Sequence, residues 1–254
     1  MTFWEHLDEL RKVLFRSALF IAAFMVVIFL AKDFVFGKII LAPIDSDFAL
    51  YRLFDSVLVK FGLPALEPFK IELINIELSA QFFIHISTSF YLALVISMPF
   101  IIYQIWLFVK PALYDNERKA AIGAFTFAGI LFFMGVLVGY YLIFPLTLRF
   151  LGTYQVSADV ANQISLQSYI SMFTWLILIM GVVFEMPSLA AILSKIGILS
   201  KSFLKSYRKH AFVILLVVAA FITPSGDPFT LMAVGFPLYA LYELSILVCR
   251  DFDK

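Results

Sequence analysis

The chain has 254 residues, of which 63% are hydrophobic and 15% charged, and its mean hydropathy is +0.98. Soluble domains hold about 45–50% apolar and about 25% charged residues, so this composition excludes a water-soluble protein. The net charge of +1 gives no electrostatic reason to expect nucleic acid as a partner, and the single cysteine, Cys249, excludes an internal disulfide. We expect an integral membrane protein with one domain, residues 1–254.

Apolar stretches along the chain predict six transmembrane helices, because a helix needs about 20 apolar residues to cross about 30 Å of hydrocarbon. The predicted spans lie near residues 13–31, 81–103, 120–145, 168–193, 211–222 and 229–248, with a long loop at 32–80. In lipid, each backbone polar group must be satisfied within its own segment, which favours helices. The predicted fold class is therefore all-α and polytopic.

The fifth predicted span is short, since its dozen or so apolar residues cover only about 20 Å. After it, Asp227 suits a helix N-cap and Pro228 suits the first helical position. Spans five and six are therefore predicted to form an antiparallel pair. A pair this short implies either local thinning of the bilayer or burial against longer neighbouring helices. The alternative is that the true helix boundaries differ from the predicted ones by a few residues.

The distribution of lysine and arginine predicts the orientation. Thirteen of them fall within 55 residues on the side of the N-terminus, against six within 77 residues on the other side. Cytoplasmic loops carry the excess of these residues. Both termini are therefore predicted to be cytoplasmic, and loop 32–80 to lie outside.

The N-terminal segment predicts an amphipathic helix that leads into the first span. Glu5, Asp8, Glu9 and Lys12 share one helical face. Such a face is explained either by a topology anchor with internal ion pairs or by a binding surface. The residues alone leave both interpretations open.

The first inner loop, residues 104–119, mixes aromatic residues with Pro111 and ends in an acid beside two bases. Taken alone, Glu117 is a first-turn acid that the dipole of the third helix favours. A carboxylate among aromatics is also suited to a basic peptide, because carboxylates pair with guanidinium groups in bidentate fashion.

Glu185 lies well inside the fourth span, where an ionisable group is costly and marks a functional site by default. A structural glutamate, protonated or hydrogen-bonded to a neighbouring helix, is the alternative. Pro187 leaves the carbonyl of Val183 without its helical partner and predicts a kink there.

Two other acids have simple explanations. A tight turn and helix cap account for Asp227, and solvation near the inner interface accounts for Glu243. The histidines are far apart, and no nucleophile, phosphate-binding or metal-ligand pattern is present. We therefore expect no enzyme activity, no cofactor and no metal.

Four segments follow one another along the chain: FWEHLDELR at 3–11, the aromatic loop at 103–118, FEMP at 184–187, and the turn and last helix at 223–243. Together they resemble motifs of the TatC family, the large polytopic subunit of the twin-arginine protein translocase. Each motif is weak alone, whereas four in register on a six-span topology are specific. Loop 32–80 departs from the family because it is longer than usual.

The resemblance implies a cupped, six-helix protein of the bacterial cytoplasmic (inner) membrane. It implies binding of twin-arginine signal peptides and transport of folded proteins, driven by the proton-motive force. The implied partners are these cargo signal peptides, the single-span subunits TatA and TatB, further copies of the chain, and the lipid bilayer.

The resemblance also implies roles for individual residues. Signal peptides would bind Glu9 and Glu117, with Phe108 nearby, and Glu185 would contact a partner from the concave membrane-embedded face. Structural or partner roles are implied for Arg11, Pro111, Pro187, Asp227 and Glu243.

A proton-coupled small-molecule carrier with Glu185 as the proton site is the alternative function. Carriers often contain repeated halves with broken helices at matching positions. Pro187 has no evident counterpart in the first half of the chain. A proton pathway coupled to transport usually needs more than one acid within the membrane, and only Glu185 lies at that depth. A membrane enzyme is a more distant third interpretation.

Overall fold

A computed structural model describes residues 3–64, 68–69, 71–112, 115–157, 159, 162–223 and 225–251, and the backbone alone at residues 3, 112 and 115–121. The helices are α1 (Phe3–Leu30), α2 (Lys32–Phe34), α3 (Ala49–Lys60), α4 (Ala80–Val109), α5 (Asp115–Val138), α6 (Phe144–Thr153), α7 (Leu166–Val183), α8 (Met186–Lys195), α9 (Lys201–Ser206), α10 (Arg208–Ile222) and α11 (Pro228–Val248). Val35–Ile40 and Gly139–Ile143 are π-helical, and Ala42–Ile44 and Lys110–Ala112 are 3-10 turns. Strands β1 (Leu73–Ile74) and β2 (Ile164–Ser165) pair in parallel.

Five helical segments in the described part of the chain are long and apolar enough to cross a membrane. They are Trp4–Leu30, Ala80–Val109, Ile122–Thr153, Leu166–Lys195 and Pro228–Val248. The third contains α5, a π-helical segment and α6, and the fourth contains α7 and α8. The protein is therefore an all-α, polytopic membrane protein.

Helix α10, at the fifth predicted span, has 15 residues and is about 22 Å long. This length is below the 30 Å or so of a typical hydrocarbon core, so a sixth crossing stays a prediction. Asp227 is the N-cap of α11 and Pro228 its first residue, which confirms the predicted helix start.

Helices α1 and α4 run antiparallel along most of their lengths, and ring contacts mark the register. His6 stacks on Phe108 near one end, Phe20 stacks on Phe100 in the middle, and Phe29 stacks on His85 at the other end. The start of α1 and the end of α4 therefore lie together.

Helices α5 and α7 approach closely because glycines face the opposite helix. A Cβ on Gly135 would lie 2.4 Å from the carbonyl oxygen of Met180 and 2.7 Å from the Cβ of Phe184. A Cβ on Gly181 would lie 2.7 Å from the ring of Phe132. Small residues of this kind let helix backbones pack tightly in lipid, where dispersion contacts replace the hydrophobic effect.

Proline explains two interruptions in the long helices. Pro145 has no N–H to donate to the carbonyl of Tyr141, and the helix widens to a π-helix over Gly139–Ile143 just before it. Pro187 acts in the same way on Val183, and α7 ends at Val183 while α8 begins at Met186. The predicted kink is confirmed as a break in the helix.

Tyrosines from the transmembrane helices hold the long loop against the bundle. The last carbonyls of the π-helical segment Val35–Ile40 accept hydrogen bonds from two of them. Tyr140 donates to the carbonyl of Ile39 at 2.8 Å, and Tyr169 donates to that of Ile40 at 2.5 Å. The main hydrophobic cluster includes Ile40 together with buried residues of α4, α7 and α11, so part of the loop belongs to the core.

Candidate functional site

The start of α1, the end of α4 and the 3-10 turn after it form one surface, which we call the N-terminal surface. The rings of His6 and Phe108 are stacked with centroids 4.3 Å apart and planes 30° apart. His6 is exposed and Phe108 is half-buried. The sequence does not indicate this contact, because 102 positions separate the two residues. The contact fixes the first turns of α1 against the last turn of α4.

Glu9 lies one helical turn beyond His6 on the N-terminal surface. Its Oε1 is 2.6 Å from the Nζ of Lys12, and their side chains are 40% and 55% exposed. The predicted ion pairing on this face is thus present for Glu9 and Lys12. Solvent screens an exposed pair of this kind and leaves it weak, so an incoming cation can displace Lys12. Arg11 is also exposed.

The turn that follows α4 carries Pro111, which is exposed within Lys110–Ala112. Helix α5 begins at Asp115, so Glu117 lies in its first turn. The side chain of Glu117 lies outside the described residues. The structure therefore places Glu9 one helical turn from His6, which contacts Phe108, and places the backbone of Glu117 on the next helix.

An apolar groove of about 770 Å³ lies between α4 and α5, beside the N-terminal surface. It is lined by Pro99, Ile102, Tyr103, Trp106, Ile122, Phe125, Thr126, Gly129, Ile130, Phe133, Met134 and Leu137. Trp106, two positions before Phe108, is buried, and its ring contacts that of Phe125 with centroids 5.5 Å apart. The sequence analysis missed this groove, although the aromatic residues of loop 104–119 were a signal for it.

Gln104 was also missed. The residue is 6% exposed, and its Oε1 has no hydrogen-bond partner among the described residues. A buried, unpartnered amide oxygen is costly, so this carbonyl is a strained feature of the end of α4.

Glu185 lies at the break between α7 and α8, as the N-cap residue of α8. Its Oε1 is shielded from solvent and has no hydrogen-bond partner in the part of the chain that the structure describes. The preceding residue, Phe184, packs against Gly135 of α5, so the glycine contact sets the position of the carboxylate. The same carboxyl group also interacts with the side chain of Ser188 in the first turn of α8, so the unsatisfied acceptor capacity is that of the shielded Oε1.

Asp227 is engaged as a helix cap. It accepts a hydrogen bond from the backbone N–H of Thr230 at 2.8 Å and others from the hydroxyls of Thr230 and Ser225. Burial acts to raise the pKa of Asp227, but these hydrogen bonds outweigh it, so the pKa lies below its ordinary value. The role of Asp227 as the N-cap of α11 is therefore sufficient to explain why an aspartate occupies this position.

Glu243 is not simply solvated. Its Oε2 accepts a hydrogen bond from Nη2 of Arg208 at 2.6 Å, and its Oε1 accepts one from the hydroxyl of Tyr239 at 3.1 Å. The ion pair joins the start of α10 to the end of α11. Sequence reasoning missed Arg208 as the partner because 35 positions separate the two residues.

The comparisons with known proteins decide the family. A family model described as "Sec-independent protein translocase protein (TatC)" matches residues 5–237. The chain belongs to the TatC family. It is 39% identical to the Sec-independent protein translocase protein TatC of Blattabacterium sp. subsp. Periplaneta americana, over 100% of this chain and 97% of that protein. Identity to the TatC protein of Deinococcus radiodurans is 33%, over 98% of this chain and 86% of the relative.

Solved structures of a twin-arginine translocase receptor, TatC, share the fold. The structure in DDM has a TM-score of 0.75 at 31% identity and covers 96% of this chain and 99% of that one. A second TatC structure has a TM-score of 0.72 at 32% identity, with 96% and 97% covered.

Membership of the TatC family confirms the translocase prediction and gives no support to the small-molecule carrier. The chain is a multi-pass membrane component of a protein translocase, and it works in a complex with other Tat subunits. The resemblance stated from four sequence motifs is therefore confirmed over nearly the whole chain.

Proposed function

We propose that the N-terminal surface is the receptor site for signal peptides that carry two consecutive arginines. The contact between His6 and Phe108 supports this assignment most directly, since it holds the turn of Glu9 beside the end of α4. Glu117 follows in the first turn of α5. Two guanidinium groups need two carboxylates, and Glu9 and Glu117 supply them.

Charge pairing accounts for only part of the affinity. Exposed ion pairs are weak because solvent screens them, and the pair of Glu9 with Lys12 must open first. Apolar contact has to supply the remainder. The groove between α4 and α5 is apolar and adjoins the same surface, so we assign it to the apolar part of the signal peptide.

Glu185 is assigned a different role, contact with a polar group of TatA or TatB within the membrane. Its unpartnered Oε1 supports this role. In the proposed arrangement six helices cross the bacterial inner membrane in a cupped form, with both termini in the cytoplasm. The proton-motive force drives transport, and copies of the chain associate in the working complex.

Crosslinking to a signal peptide tests the receptor site. The protein is purified in detergent and exposed to a photoreactive peptide that contains Arg-Arg or, as a control, Lys-Lys. We expect Arg-Arg-selective labelling, lowered about two- to fivefold by Glu9→Gln or Glu117→Gln, as the loss of one partly exposed ion pair predicts. Glu77→Gln, an exposed acid at the opposite end of the bundle, should leave labelling unchanged.

Equal labelling by both peptides in all four proteins would remove the receptor assignment. Selective labelling that survives both substitutions would keep the receptor function but move the arginine site away from Glu9 and Glu117.

His6 offers a separate test of how the surface is held. We expect His6→Ala to lower Arg-Arg labelling by about threefold, because a stacked aromatic pair contributes about 0.5–1.5 kcal/mol. His6→Phe keeps an aromatic ring and should restore the labelling. Failure of both variants to the same extent would show that the imidazole acts by hydrogen bonding rather than by stacking on Phe108.

A further inference from the structure

A second pocket lies at the end of the bundle opposite to the N-terminal surface. It has a volume of about 550 Å³ and opens where α1 ends, where α4 begins and where α7 begins. It is lined by Lys32, Asp33, Phe36, Gly37, Gln81, Phe82, Ile84, His85 and Leu166. These residues mark the level at which α1 and α4 pass from apolar to polar surroundings, which is the level of lipid headgroups.

The mouth of the pocket carries one positive and one negative charge. Lys32 and Asp33 are adjacent and exposed, and in the described part of the chain neither side chain forms an ion pair. Gln81, also exposed, adds a neutral amide. The two charges cancel, so the pocket does not favour a ligand of a single sign.

The walls of the pocket are apolar and partly fixed. The ring of His85 stacks on Phe29 with centroids 3.9 Å apart, and its Nε2 lies 3.0 Å from the carbonyl oxygen of Phe29. The ring of Phe36 contacts the same imidazole edge-on, with the two centroids 5.7 Å apart. His85 is therefore held as part of the wall, and the charges at the mouth remain available to a ligand.

We propose that this pocket binds a zwitterionic phospholipid with a primary ammonium headgroup, of the phosphatidylethanolamine type. The ammonium of Lys32 would pair with the phosphate, and the carboxylate of Asp33 would accept N–H bonds from the headgroup ammonium. An acyl chain would lie against Phe36 and Phe82. A pocket with opposite charges above apolar walls matches this ligand better than an anionic lipid, which Asp33 would repel.

The proposal does not depend on the receptor function, because the pocket and the N-terminal surface are at opposite ends of α1 and α4. The bound lipid would fill the space beside the π-helical segment Val35–Ile40 and support the packing of the long loop.

Native mass spectrometry of the detergent-purified protein tests the proposal. Synthetic POPE, POPC or POPG is added at equal concentration. POPE should be retained best, since the choline of POPC keeps the charge but has no N–H to donate, and POPG lacks the ammonium. Lys32→Gln and Asp33→Asn should each lower POPE retention about two- to fivefold, the effect of one exposed charge pair.

Matched controls are Lys38→Gln and Asp47→Asn, which change exposed charges of the same loop outside the pocket. They should retain POPE as the unchanged protein does, and circular dichroism should show all variants folded. Equal retention of the three lipids would overturn the proposal. So would a preference for POPG that only Lys32→Gln lowers, because that result describes a simple anion site.

Discussion

Replacing Gly135 by alanine is expected to lower the free energy of unfolding by about 1–3 kcal/mol, the usual cost of overpacking a tight interface. The new Cβ would lie 2.4 Å from the carbonyl oxygen of Met180 and 2.7 Å from the Cβ of Phe184. Neither atom is the end of a flexible side chain, so α5 and α7 must move apart. Reversible unfolding in mixed micelles measures the change.

Two other glycines of α5 supply controls that should not lower the free energy of unfolding. A Cβ on Gly123 would have no atom of the described residues within 4 Å, and at Gly129 the nearest atom, Cδ1 of Ile102, would be at an ordinary 3.8 Å. Alanine is favoured over glycine within a helix by up to about 1 kcal/mol. Gly123→Ala and Gly129→Ala should therefore be neutral or stabilising. If Gly135→Ala is also stabilising, the close approach of α5 and α7 is wrong.

Gly135→Ala should also impair transport beyond its effect on stability. Phe184 would be displaced by the new methyl group, and Glu185 follows it in the chain. Labelling by the Arg-Arg peptide reports on the distant N-terminal surface and should be unchanged in the folded fraction. A loss of labelling in that fraction would mean that the two regions are coupled.

Replacing Glu185 by alanine is expected to reduce transport by about fivefold or more while peptide labelling stays within about twofold. Removing one member of a buried hydrogen bond leaves the other member unsatisfied, which costs about 1–3 kcal/mol and corresponds to at least about a fivefold change in occupancy of the partner. The measurement is cargo export in cells together with co-purification of TatA and TatB.

Glu185→Gln serves as the matched variant, because the amide keeps the shape and an acceptor oxygen but cannot ionise. If hydrogen bonding to a partner is the role of Glu185, the amide should retain most of the transport. Lost peptide labelling with intact subunit assembly would contradict the assignment. Normal transport by the alanine variant, with unfolding unchanged, would show that Glu185 is not needed for partner contact.

Much of the architecture follows from local rules that the sequence contains. Five of the six predicted spans coincide with helices of the described residues that are long and apolar enough to cross a membrane. Pro187 predicted the break after Val183, and Asp227 with Pro228 predicted the start of α11. These features depend on groups within one turn of each other, since a missing N–H or a capping carboxylate acts on its own segment. The motifs likewise identified the family, because their residues are read in order along the chain.

Only the tertiary structure decided which distant groups meet. His6 with Phe108, Arg208 with Glu243, and Gly135 with Phe184 are separated by tens of positions or more, and no periodicity links the members of each pair. Their contacts depend on how whole helices pack, which is set by glycine positions and ring shapes on both partners together. The sequence by itself thus determined the membrane class, the family and the local breaks and caps, whereas the N-terminal surface, the groove and the pocket at the opposite end of the bundle arise from packing between helices.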